Sequence, residues 1–175
     1  MWDQNKLNFQ LSLSTHKVIC SGKGGLLAAD LYSQFQLFLS SSRKTPHLVV
    51  LDVGTNDLDL GTPPTEVARQ VYYFATKLVR EFDVDKVVIL EVLDRSSSGR
   101  HAPRSSAFST NVKSYNEVIK TSINRANHPS KVFFWHHKRM ATYPEQYIAD
   151  GVHLNPKGLS KYFYSVKRAI VKFSA

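Results

Sequence analysis

The chain has 175 residues, 42% of them hydrophobic, which suits one domain with a sizeable core. Its 23 Lys and Arg against 14 Asp and Glu leave a net charge of +9, which fits anionic partners such as nucleic acid or an acidic membrane surface, and fits a merely basic soluble protein equally well. The single cysteine excludes an internal disulfide and favours a reducing, intracellular setting; no apolar stretch reaches membrane-spanning length, and Met1 to Gln10 has no signal-peptide core.

Residues 1–16 read as a lead-in, and residues 17–175 as a single domain. Within the lead-in Leu7, Phe9, Leu11 and Leu13 alternate as a half-buried strand does. Lys17 to Cys20 is the first expected strand, with Cys20 a small core residue. Gly22, Gly24 and Gly25 then turn the chain into a helix carrying Leu27, Leu31, Phe35 and Phe38 on one face. After a polar linker from Ser40 to Pro46, Leu48 to Val53 is a nearly continuous apolar run, the pattern of a strand buried on both faces of a parallel sheet. It breaks abruptly into Gly54-Thr55-Asn56-Asp57.

Thr62-Pro63 reads as a capped helix start, and Val67, Val71, Phe74, Leu78 and Phe82 continue as its apolar stripe. Lys86 to Leu93 is another buried strand. Asp94 to Thr110 has six serines, three arginines and no periodicity, which is long for a connection inside a compact domain and implies a lid or a mobile segment. Val112, Tyr115, Ile119 and Ile123 mark the next helix, and Lys131 to Trp135 the last strand. Asn155-Pro156 caps a final helix whose expected buried face is Leu159, Tyr162, Phe163, Val166, Ile170 and Phe173. Strands alternating with amphipathic helices predict an α/β fold with a parallel sheet.

Two short blocks carry chemistry. The run ending in Gly54-Thr55-Asn56-Asp57 delivers polar side chains at the C-terminal end of a buried strand, where ligands bind in open α/β sheets. In Asp150-Gly151-Val152-His153 an acid three residues before a histidine can hold the imidazole in one tautomer and orientation. Taken singly, Asn56 and Asp57 are ordinary turn formers, and Asp150 and His153 an ordinary surface turn before a helix cap. Ser21-Gly22-Lys23-Gly24-Gly25 invites comparison with a phosphate loop, but the pattern GxxxxGK[ST] is absent. His136 and His137, adjacent at a strand end, point in opposite directions and have no clustered carboxylate or thiol, so the sequence predicts no metal site. Lys157, Lys161, Arg168 and Lys172 form a basic stripe opposite the apolar face of the last helix, either a solvated face or a contact for nucleic-acid phosphates.

In combination and order these blocks resemble the SGNH (GDSL-like) hydrolase family. Gly54-Thr55-Asn56-Asp57 matches its third block and Asp150-Gly151-Val152-His153 its fourth. Ser21 to Gly25, after the run Val18-Ile19-Cys20, is similar to the second. The resemblance implies a three-layer αβα sandwich with a parallel, flavodoxin-like sheet. It also implies a cofactor-free serine esterase that cleaves a small acyl or acetyl ester through an acyl-enzyme. Asn56 and Gly25 would then donate to the oxyanion hole, His153 would be the general base, and Asp150 would orient it. The Trp135-His136-His137 strand end and the block from Ala149 to Asn155 also resemble SGNH domains of retrotransposon-related proteins.

The first block of the family, Gly-Asp-Ser with the nucleophile, does not occur here. Its strand lies, in the family, between the strands that here begin at Lys17 and His47. The expectation is therefore a truncated form whose first strand is missing, or one in which Leu7 to Leu13 substitutes for it. Ser21 and Ser96 to Ser98 are the candidate replacement nucleophiles, and neither matches the family position. The alternative function is a non-catalytic domain of this fold whose basic surface engages nucleic acid or an acidic partner.

Overall fold

The computed structural model describes residues 8–42, 44–95, 107–126, 131–138, 140 and 144–175. A 3-10 turn at Ala28–Asp30 leads into α1, Leu31–Ser42. Then follow β1 (Leu48–Leu51), the short α2 (Thr55–Asp59), α3 (Pro64–Glu81), β2 (Lys86–Leu90), α4 (Phe108–Asn124) and β3 (Val132–Trp135). A second 3-10 turn, Pro144–Gln146, precedes α5, Pro156–Ser174. The strands form a parallel sheet in the order β1-β2-β3, with Val49 opposite Val87 and Val88 opposite Phe133.

Each strand sends alternate residues to opposite faces, and the two faces build separate cores. Leu51, Val87, Ile89 and Val132 pack with Val67, Val71, Phe74 and Leu78 of α3 and Val112, Tyr115 and Ile119 of α4. Val88 and Leu90, with Leu48, Val50, Phe133 and Trp135, pack against Val166, Ile170 and Phe173 of α5. Helices thus cover both faces, the three-layer αβα arrangement that the family resemblance implies, built on the parallel sheet that the element pattern predicts. Two sequential crossovers of one hand put α3 and α4 on the same side.

Two ties fix the direction of α5. The Tyr162 hydroxyl donates to the Asp52 carboxylate just past the end of β1. At the other end Lys86 Nζ, at the start of β2, donates to the backbone oxygen of Ala175 at 2.6 Å. The helix therefore runs antiparallel to the strands, and the turn that precedes it lies toward their C-terminal edge.

Several local expectations are corrected. Lys17 to Cys20 is coil; Ile19 is 52% exposed and Cys20 is exposed, so neither is core. Residues 8–13 are turn and coil, with Phe9 and Gln10 at positive φ, so no strand substitutes there. Phe9, Leu11 and Val18 bury part of their surface against the α5 core instead. The segment is held by Asn8, whose amide donates to Leu11 O and His16 O and whose Oδ1 accepts from Val18 N at 2.7 Å. A run of three apolar residues becomes a strand only with a partner edge, and no described residue pairs with the outer edge of β1. Pro63 rather than Thr62 precedes the first turn of α3, and Leu159 is half exposed on α5. Ser96 to Ser98 and most of the stretch expected to be a lid lie outside the described residues.

Candidate active site

The GTND block is shaped by its glycine. Gly54 has φ +116, a conformation side chains disfavour, and an added Cβ would come within 3.1 Å of the Tyr115 ring. That ring is fully buried, and its hydroxyl donates to Val53 O at 3.1 Å. Burial raises the phenol well above its ordinary range, so it stays a donor. The chain is thereby forced to turn straight from β1 into α2, which presents Asn56 and Asp57.

Both side chains reach the glycine turn. Asn56 Nδ2 donates to Leu26 O at 3.1 Å, and its second amide hydrogen donates to no described residue. The buried Asp57 accepts the Ala28 N–H with both oxygens, at 3.1 and 3.2 Å. Burial pushes its carboxyl upward, and the Ala28 amide draws it back. Gly25 adopts φ +72 with open space where a Cβ would stand. Its conformation, rather than a close approach, is what requires glycine here.

The DGVH turn is a separate unit. Asp150 Oδ1 accepts from the backbone N–H groups of Val152 and His153 at 2.8 and 2.9 Å, and Oδ2 binds His153 Nδ1 at 2.6 Å. The His153 hydrogen bond, followed by these amides, lowers the Asp150 carboxyl to about 2, so it is ionised at neutral pH. A carboxylate can only accept, which places the proton on Nδ1 and leaves Nε2 with a lone pair. The imidazole is 76% exposed, so that lone pair faces solvent. Asn155 caps α5 by accepting from Lys157 N and Gly158 N, both at 3.0 Å.

No hydrogen bond among the described residues joins His153 or Asp150 directly to Asn56 or Gly25. A chain of intermediate contacts connects the two halves. Arg95, just past β2, pairs with Asp59 of α2 at 3.2 Å. Next to it Asp94 accepts from Ser109 through its carboxylate and from Tyr147 through its carbonyl. Tyr147 bridges to Leu154, and the Ile148 N–H donates to His153 O at 2.9 Å. Burial, with the Asp94 charge, pushes the Tyr147 phenol up to about 12.

The sequence profile of the GDSL-like lipase/acylhydrolase family matches residues 3–160. The chain belongs to this family. Fold neighbours among solved structures include a Bacteroides fragilis protein provisionally assigned as an acylhydrolase. It has a TM-score of 0.69 and 18% identity, with 87% of this chain and 73% of that chain covered. A GDSL-like lipase from Bacteroides thetaiotaomicron aligns with a TM-score of 0.64 and 23% identity over 85% of this chain and 72% of that one. A Clostridium thermocellum family 3 carbohydrate esterase aligns at 0.59 and 19% over 87% and 69%. Among curated proteins none matches.

Within this GDSL-like chain, Asn56 meets Leu26 O, next to Gly25, and Asp150 meets His153. Ser21 is exposed and accepts from Gln34 Nε2 at 3.0 Å, with no bond to His153. Glu91 Oε2 binds His136 Nδ1 at 2.7 Å, His137 turns inward, and no metal-holding cluster occurs among the described residues. The linking residues Asp94, Arg95 and Tyr147 were missed. Only the position of Asp94 and Arg95, directly after an apolar strand, could have signalled them.

Proposed function

We propose that this GDSL-like domain hydrolyses small acyl or acetyl esters, with His153 as general base, Asp150 as its orienting acid, and Asn56 and the Gly25 N–H as oxyanion donors. The observation that carries the reading is the Asp150–His153 pair, which fixes one tautomer and leaves a basic nitrogen exposed. The Asn56 amide hydrogen and the Gly25 N–H that donate to no described residue are of the type an oxyanion needs, being neutral and held by the turn. The acyl-accepting hydroxyl is unassigned. A second reading, binding without catalysis, is favoured by the fact that no described serine bonds to His153.

Fluorophosphonate labelling read by intact mass, together with hydrolysis of p-nitrophenyl acetate, separates the two. Under the esterase reading a stoichiometric adduct forms and is lost in His153→Ala, and Asn56→Ala lowers kcat by about 10²–10³. A chain that is folded by circular dichroism yet forms no adduct, and whose ester turnover is unchanged by either substitution, overturns the esterase reading and leaves the binding one.

A further inference from the structure

Helix α5, which follows the Asp150–His153 turn, has a concentration of positive charge. Helix α5 has five cations, Lys157, Lys161, Lys167, Arg168 and Lys172, and no Asp or Glu, in a protein whose net charge is +9. Lys167 is engaged with Gln10 O at 3.2 Å. The others stand exposed in one file with Tyr164, as Lys157, Lys161, Tyr164, Arg168 and Lys172, at steps of four, three, four and four residues. At 1.5 Å per residue the file is about 22 Å long. Like charges four apart on a helix repel, and a face needed only for solubility would mix both signs.

The centre of the file is aromatic and braced. Tyr164 is 49% exposed, its ring set edge-on to Phe163 at 5.5 Å, and Phe163 stacks on Phe9 at 4.9 Å. At the far end Lys172 lies over the Trp135 and Phe173 rings, which restrains its stem. Cations in single file around a rigid exposed ring are the elements of single-stranded nucleic-acid binding, in which the charges follow the phosphates and a base stacks on the ring. A membrane-docking face would instead present a broad plane of large apolar tips.

We propose that the solvent face of α5 is a binding surface for single-stranded nucleic acid, with Lys157, Lys161, Arg168 and Lys172 on phosphates and Tyr164 as the stacking platform. The surface is separate from the esterase reading and does not depend on it. The test is fluorescence anisotropy with labelled oligouridine, the salt raised from about 50 to about 200 mM. Four phosphate contacts predict a slope of log K against log salt near −2.8, about 0.7 per contact. Lys161→Gln with Arg168→Gln should cut the slope to about −1.4. Tyr164→Ala should weaken binding with the slope unchanged, and Lys113→Gln on exposed α4 surface should change nothing. Binding that is absent, or whose slope the double variant leaves intact, overturns the proposal; so does capture by anionic vesicles without oligonucleotide binding.

Discussion

Replacing His137 by Phe should remove a measurable part of the acid sensitivity of this fold. The imidazole is 2% exposed and lies against the Tyr162 ring at 4.9 Å. Its Nδ1 meets Ser165 Oγ at 2.8 Å, while Nε2 has no partner among the described residues. Burial, reinforced by His136, holds it at about 4, well below its ordinary 6.5. The folded state therefore keeps the ring neutral where the unfolded chain protonates it. The resulting loss begins as pH falls below 6.5 and is complete below about 4, where it reaches about 3 kcal/mol. Between pH 7 and pH 5 the same relation makes the loss about 2 kcal/mol.

Urea unfolding of the protein and of His137→Phe at pH 7 and pH 5 tests this directly, because the other histidines contribute to both and cancel. At pH 7 the variant should lie within about 1 kcal/mol of the parent: it loses the Ser165 contact but also an unpartnered buried nitrogen. At pH 5 it should be the more stable of the two. Equal losses between the two pH values in both proteins would refute the reasoning and mean that the ring is protonated, or solvated, in the folded state.

Two further substitutions probe the turns that present the site. Gly54→Ala must hold φ +116 against the Tyr115 ring, and should lower stability by about 2–3 kcal/mol in thermal unfolding. Asp57→Ala leaves the Ala28 N–H without its acceptor, for a loss of about 1–3 kcal/mol and faster hydrogen exchange at Ala28, whereas Asp57→Asn keeps one acceptor and should retain most of the protection.

What the sequence determined by itself was whatever depends on local period and local chemistry. The apolar runs at 48–53 and 86–93 and the stripes of Val67 to Leu78 and Val166 to Phe173 announced strands and helices, because a face must recur at 2.0 or 3.6 residues to be buried. The Asn155 cap and the Asp150–His153 pair were legible because their partners lie within three residues. Only the tertiary structure decided what depends on a distant partner. Val18, Ile19 and Cys20 have a strand's composition but pair with no strand of the sheet, and they remain coil. Leu159 fits the stripe of α5 yet falls half exposed, since where a buried face ends is set by what packs over it. The Arg95–Asp59 and Tyr147–Asp94 contacts that connect the two halves of the site join residues 36 and 53 positions apart, and no local pattern encodes such a pairing.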